Sequence, residues 1–262
     1  MTDFSAIKGI MFDLDGVLYI GNTPIDGAIE TVKYLRDAGC VCRFVTNTST
    51  LSLNTLQQKL LGFGFEVERS EIFSAPQAAL QLLKQQGAPI CRLLLAGDVK
   101  KDFNQFTQSD TEAQFIVIGD IGNAWTYSML NEVFQCVMRG ARMIAIHKNR
   151  FWQTEQGLQM DIGAFIDGLE YATNTKATII GKPSLDFFSA VLCDMQLKPE
   201  QVLMVGDDID ADIGGAQAAG IAGVLVRTGK YRQAYAEASA VHPFVTLDSV
   251  AALPDLLMPA KR

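Results

Sequence analysis

The sequence lacks any run of Lys or Arg, and acidic residues outnumber basic ones 29 to 22, giving a net charge of −7 and a pI of about 4.9. Such a chain offers no counter-charge to a phosphate backbone or an anionic headgroup, so neither nucleic acid nor a membrane surface is an expected partner. It also lacks an apolar run approaching the roughly 20 residues that cross a bilayer. Met1-Thr2-Asp3-Phe4 carries no basic region followed by a long apolar stretch, so no signal peptide is expected. Cysteines are few and odd in number: Cys40, Cys42, Cys91, Cys136 and Cys193, without C-x-x-C spacing. That pattern argues against a zinc site or a disulfide framework and for buried thiols in a reducing compartment. A cytoplasmic protein is expected, in which the glycosylation pattern Asn47-Thr48-Ser49 has no meaning. Low-complexity segments and fixed-period repeats are absent too. What remains is a 262-residue chain, 48% hydrophobic, long enough for one large domain or two modest ones.

The stretch around which the rest is organised is Ile10-Met11-Phe12-Asp13-Leu14-Asp15-Gly16-Val17-Leu18. An apolar run delivers two carboxylates, two residues apart, into a glycine-containing turn. A strand covered on both faces of a parallel sheet explains the run. It does not explain the two acids at its end, which in open α/β sheets is where ligands bind. Alone, an Asp-x-Asp pair is an ordinary turn feature; the rest of the chain changes its meaning.

After a turn at Gly21-Asn22-Thr23-Pro24, Ile29, Val32 and Leu35 set helical spacing over 28–38, closed by Gly39. An apolar strand at 41–45 then ends in Thr46-Asn47-Thr48-Ser49-Thr50. Helices are expected at 53–61 and 76–86. From about Arg92 the alternation restarts, with strands at 93–96, 115–118 and 143–146 and helices at 127–139 and 164–173. After Thr178-Ile179-Ile180 comes Gly181-Lys182-Pro183, and a helix over 184–195 leads to a strand at 202–205. That strand ends in Gly206-Asp207-Asp208-Ile209-Asp210-Ala211-Asp212. A helix at 216–219, a strand at 223–226 and a closing helix over 247–257 complete the chain. Short connections and right-handed crossovers predict an α/β fold with a doubly wound parallel sheet. Its core is assigned to residues 1–78 and 178–262, with a smaller α/β unit inserted at roughly 79–177.

Three apolar strands thus end in polar clusters, at Asp13/Asp15, Thr46/Asn47 and Asp207 to Asp212, and Lys182 lies on a turn between the second and third. In adjacent parallel strands these groups share one sheet edge. Crowded carboxylates repel unless a cation sits among them, and Mg²⁺ takes oxygen ligands of this kind. Thr46 and Asn47, with backbone N–H groups at the following helix, suit phosphate oxygens. Acids, metal, lysine and oxyanion donors together describe a phosphoryl-transfer centre. Singly, each has a bland reading: a solvated Lys, an N-cap, or acids at a helix start. Gly97-Asp98-Val99-Lys100-Lys101-Asp102 and Ile118-Gly119-Asp120 imitate the pattern, but Lys100 and Lys101 neutralise the first without a metal.

Asp13-Leu14-Asp15-Gly16-Val17, Thr46-Asn47, Gly181-Lys182-Pro183 and Gly206-Asp207-Asp208 with Asp212 resemble the four motifs of the haloacid dehalogenase-like hydrolases, in their usual order. The position of the insert, Gly27-Ala28, Ala164-Phe165 and Leu169 to Thr173 resemble the branch typified by NagD-like and 4-nitrophenylphosphatase-like phosphatases, whose insert is a C2 cap. The resemblance spans nearly the whole chain. It implies Asp13 as nucleophile, forming an aspartyl-phosphate. It implies Asp15 as general acid and then base, which requires a raised pKa near neutral pH. Mg²⁺ would be held by Asp13, the Asp15 carbonyl and Asp207, with Asp212 as ligand or orienting group and Asp208 as helper. Thr46, Asn47, Thr48 and Lys182 would hold the phosphoryl oxygens. One departure touches substrate contacts only: Thr48-Ser49-Thr50-Leu51 lacks the Lys often found there.

The implied activity is a Mg²⁺-dependent phosphatase acting on a small phosphorylated metabolite. Alternatives are hydrolysis of a phosphoramidate or anhydride, phosphoryl transfer to an acceptor, and a non-catalytic binding or regulatory protein on the same fold. Carbon–halogen hydrolysis needs neither Asp15 nor a metal, and an ATP-driven pump needs membrane spans. In the cap, which would close over the site and set specificity, the candidate lining is His147 to Trp152 with 157–163. Phe151, Trp152 and His147 each also fit plain packing. Asp161 would disfavour an anionic leaving group if it faced the site. Relatives with such a cap pair through it, so the resemblance also implies a homodimer.

Overall fold

A computed structural model describes residues 6–154 and 157–257, apart from the side chains of Trp152, Gln153, Thr154 and Leu158. The chain divides into two compact units. One comprises 1–46, 57–73 and 182–262, the other 47–56 and 74–181. The expected insertion, 79–177, falls inside the second. Among the described residues no helix is long and apolar enough to cross a membrane.

The first unit is built on a six-stranded sheet in the order Val245–Leu247, Ala222–Val226, Val202–Gly206, Gly9–Asp13, Val41–Thr46, Ile72–Ser74. Its central pairs are parallel, with Phe12 opposite Val205 on one side and Asp13 opposite Val45 on the other. Ile10, Met11 and Phe12 have no exposed surface, as do Val202 to Val205, which is why these strands read as unbroken apolar runs. Three parallel strands therefore end side by side, carrying their acids and hydroxyls to one edge. The helix Ala28–Asp37 buries Ala28, Thr31, Val32 and Leu35, and Leu185–Met195 buries Phe187, Phe188, Val191 and Met195. Each presents one apolar stripe at helical spacing.

Two stretches depart in detail from expectation. The helix expected over 247–257 is present from residue 250, as the 3₁₀ turn Val250–Ala252 followed by Leu253–Leu257, whereas Leu247 ends a sheet-edge strand, Val245–Leu247, paired with Val224–Val226. Leu247 stands at helical spacing from Val250, but it follows β-branched Val245 and Thr246, which extend along the open sheet edge. The helix expected at 216–219 is preceded by a π-helix, Ile209–Gly214, in which the Asp208 carbonyl accepts from Asp212 (3.0 Å) and Ile213 (3.2 Å). Such wide turns cluster at functional sites.

The second unit has its own parallel sheet, ordered Thr178–Ile179, Arg142–Ala145, Phe115–Ile118, Cys91–Leu94. Helices Ala75–Gln85, Tyr127–Met138 and Gly163–Thr173 belong to it, as does the antiparallel hairpin Phe151–Thr154/Gly157–Met160, which the sequence does not announce. Apolar clusters cover both sheet faces: Leu80, Leu83, Phe103, Val117 and Ile144 on one, Ile116, Ile118, Val133, Met143 and Ile166 on the other. All five cysteines are free thiols. Cys42, Cys91 and Cys136 are buried, whereas Cys193 is exposed, against the expectation of uniform burial.

Candidate active site

Asp13 is the last residue of its strand and is buried. Its Oδ1 lies 2.5 Å from Lys182 Nζ, and the same ammonium is 2.7 Å from Asp212 Oδ1 and donates to the Val45 carbonyl at 3.4 Å. Burial alone would pull the Lys182 ammonium down, but Asp13 and Asp212 more than reverse that and hold it well above its ordinary range. Lys182 is therefore a fixed positive charge between two carboxylates, reached through a cis peptide to Pro183.

Asp207 follows the strand Val202–Gly206 and is also buried. Its Oδ2 accepts the backbone N–H of Lys230 at 2.6 Å, while Oδ1 is buried without a hydrogen-bond partner among the described residues. Gly16 (φ 91°) and Gly229 (φ 57°) pass so close that a Cβ on either would run into Asp207 Oδ2. Only glycine allows both the backbone conformation and that approach. The Asp212 carboxylate accepts from the Asp208 backbone N–H at 3.1 Å, a position that the π-turn sets. Asp208 itself caps that turn, accepting from Asp210 (3.1 Å) and Ala211 (3.0 Å), with Lys230 Nζ at 3.5 Å.

Carboxylate oxygens of Asp13, Asp207 and Asp212 lie within 4.8 Å of one another. Burial raises the proton affinity of Asp207 and Asp212, and the Asp13 charge raises it further, against the pull of Lys230 and Lys182 respectively. A bound cation relieves that repulsion. The orphaned Asp207 oxygen and an all-oxygen donor set suit a hard divalent ion. Asp15 lies two residues beyond Asp13, in the turn that follows the strand. It is open to solvent, yet enough protein surrounds its carboxyl that lost hydration raises its pKa, opposed by Lys59, Lys230 and the Gly21 amide. Its loop is a tight turn in which the Gly16 amide donates to the Tyr19 carbonyl at 2.7 Å.

Asp13, Lys182, Asp207 and Asp212 thus come together as expected from the strand ends. Thr46 ends the neighbouring strand and is buried. Asn47 and Thr48 open the loop that belongs to the second unit. Lys230, Gly229 and Thr228, whose hydroxyl donates to the Gly16 carbonyl, escaped the sequence reading. The available signal was another apolar strand, Gly223 to Val226, ending in Arg227-Thr228-Gly229-Lys230.

The imitating acids are structural. Asp98 Oδ2 accepts from Ser52 N (2.7 Å) and Asp102 Oδ2 from Leu53 N (2.9 Å), so together they cap the helix Leu53–Phe63. Asp98 is held well below the usual carboxylate range by Lys101 at 2.6 Å and then by the Ser52 N–H. A depressed pKa contributes stability that is present above the unfolded value, about 4, and fades as pH falls below it. Asp98→Asn should lower the melting temperature by about 2–4 °C at pH 7, the effect of losing a cap worth about 1 kcal/mol. That gap should narrow as a thermal-unfolding series is taken down through about pH 4. In the second unit, His147 and Asp161 are buried together, with Nδ1 and Oδ2 3.8 Å apart, and Asp161 Oδ1 accepts the Ile162 N–H. Phe151 is half-buried, and the Trp152 side chain lies outside the described residues.

The family profile described as haloacid dehalogenase-like hydrolase matches residues 10–108, and one described as HAD-hydrolase-like matches 179–253. Human haloacid dehalogenase-like hydrolase domain-containing protein 2 is 40% identical over 245 residues, 93% of each chain. The phospholysine phosphohistidine inorganic pyrophosphate phosphatase of Xenopus laevis is 37% identical over 251 residues, 93% of this chain and 90% of its own. Among solved structures, p-nitrophenyl phosphatase from Archaeoglobus fulgidus superimposes with a TM-score of 0.88 at 27% identity, covering 95% of this chain and 99% of that one. NagD from E. coli K-12 gives 0.80 at 26% identity, covering 94% and 97%.

Proposed function

The chain belongs to the haloacid dehalogenase-like hydrolases, and from that premise we propose that it is a Mg²⁺-dependent phosphatase that cleaves a small phosphomonoester through an aspartyl-phosphate on Asp13. The observation that carries this reading is the buried array in which Lys182 bridges Asp13 and Asp212, beside the orphaned oxygen of Asp207.

With Oδ1 of Asp13 held by Lys182, the other carboxylate oxygen is the one that attacks phosphorus. As that bond forms, the bond from phosphorus to the leaving oxygen breaks, and Asp15 gives the leaving oxygen its proton. The burial that raises the pKa of Asp15 favours the protonated form this step needs. The Asp15 carboxylate then takes a proton from water, whose oxygen attacks the aspartyl-phosphate, releasing inorganic phosphate and restoring Asp13. Lys182 holds a phosphoryl oxygen and offsets the charge on Asp13 throughout, while Thr46, Asn47 and Thr48 supply the remaining oxyanion donors. Asp13, the Asp15 carbonyl and Asp207 would hold Mg²⁺, which when bound offsets negative charge on the phosphoryl oxygens. Asp212, already engaged with Lys182 and the Asp208 N–H, orients that set, and Asp208 shapes the turn that places it.

A second reading is hydrolysis of a phosphoramidate or an anhydride. The Xenopus relative's name, phospholysine phosphohistidine inorganic pyrophosphate phosphatase, favours it, and the same residues would serve. A non-catalytic role finds less support, since Asp13, Asp15, Lys182 and Asp207 are all retained. The test is phosphate release from an aryl phosphate after exhaustive treatment with a chelator. Turnover should vanish with chelation and return on adding Mg²⁺; full activity in the metal-free protein would contradict the reading.

A further inference from the structure

Lys59 takes no part in the machinery above. It lies half-buried on the helix Leu53–Phe63, its Nζ 4.2 Å from the centre of the Tyr19 ring and 5.7 Å from that of Phe63. Those two rings pack at 5.3 Å. A lysine on a helix surface ordinarily carries its ammonium out into water. This one is laid across aromatic faces, which attract a cation but do not neutralise it. Among the described residues it makes no ion pair.

Its position relative to Asp15 follows from Tyr19. Residues 15 and 19 form a bridge, and the Tyr19 carbonyl accepts the Gly16 amide, so the ring that carries Lys59 is part of the Asp15 turn. The two side chains feel each other's charge. The other cations of this site are engaged, Lys182 with Asp13 and Asp212 and Lys230 with Asp208. Lys59 alone among these three has no carboxylate at ion-pair distance among the described residues.

In the phosphatase reading, on which this inference rests, Asp15 protonates the leaving oxygen, so the leaving group passes beside it. An anionic leaving group would meet repulsion from Asp13, Asp207 and Asp208 unless a cation received it. We propose that Lys59 is a specificity-determining residue that binds a negative charge on the leaving group, a carboxylate or a second phosphoryl group.

The test compares kcat/KM of wild type, Lys59→Met and Lys59→Arg on phenyl phosphate, phosphoglycolate and pyrophosphate. The leaving groups are neutral, carboxylate-bearing and phosphoryl-bearing, so the last two distinguish the sources of charge. Lys59→Met should lower the preference for at least one anionic substrate over phenyl phosphate by about tenfold, chiefly through KM, as expected for one charge-assisted contact. Lys59→Arg should retain most of that preference. An equal loss on all three substrates, or an unchanged ratio, would overturn the assignment. A wild type that cleaves phenyl phosphate but neither anionic substrate would overturn it too, while leaving the phosphatase reading intact. A wild type inactive on all three would remove that reading and this inference with it.

Discussion

Asp13→Asn is expected to lose at least about 10⁴-fold in kcat on an aryl phosphate, since removing a nucleophile that other groups serve disables the whole unit. The replacement is near-isosteric and keeps a hydrogen-bond acceptor toward Lys182 Nζ, now 2.5 Å from Asp13 Oδ1. What it removes is the charge and, in the proposed mechanism, the nucleophilic oxygen. It also takes away one of the carboxylates that Lys182 neutralises, leaving that buried ammonium with Asp212. The loss should therefore appear in kcat while the fold, followed by circular dichroism, is kept. Steady-state kinetics on matched preparations measure it, and an Asp13→Asn protein with more than a small fraction of wild-type kcat would remove Asp13 from its role.

Asp15→Asn should separate the two halves of the reaction. In the proposed mechanism Asp15, whose pKa burial raises, acts first as acid and then as base, contributions worth about 10²–10⁴-fold. A 4-nitrophenolate leaving group needs little protonation, so the first step should survive while activation of water fails. Rapid mixing is expected to show a burst of about one equivalent of nitrophenolate per site, followed by slow turnover, as for any accumulating covalent intermediate. An alkyl phosphate, whose leaving oxygen does need the proton, should show no burst. Equal losses on both substrates without a burst would mean that Asp15 does not divide its work in this way.

The placement of these residues was legible because burial and function leave opposite marks on the same strands. Ile10 to Phe12 and Val202 to Val205 are apolar without interruption because both faces are covered, so Asp13 and Asp207 stand out where each run stops. Lys182 was legible from its turn and its order in the chain. Other features were hidden for reasons of distance or length. Lys59 follows helical spacing like any solvated lysine, and only the fold brings it to Tyr19, forty positions earlier. The strand Val245–Leu247 is three residues long and exists because an open sheet edge accepts it. The π-turn over Ile209–Gly214 leaves no periodic signal, although it decides that Asp212 rather than Asp210 reaches Lys182. Helix capping by Asp98 and Asp102 likewise joins segments more than forty residues apart. Short-range pattern identified the acids, and long-range contact decided which of them gather around Lys182.

The most direct test of the central claim is peptide mapping by mass spectrometry after acid quench of Asp15→Asn mixed with 4-nitrophenyl phosphate and Mg²⁺. The proposed mechanism predicts a phosphoryl group on the peptide containing Asp13, sensitive to hydroxylamine as an acyl phosphate is. A wild type that turns over the same ester, alongside a variant whose Asp13 peptide stays unmodified at every quench time, would contradict an aspartyl-phosphate at this position.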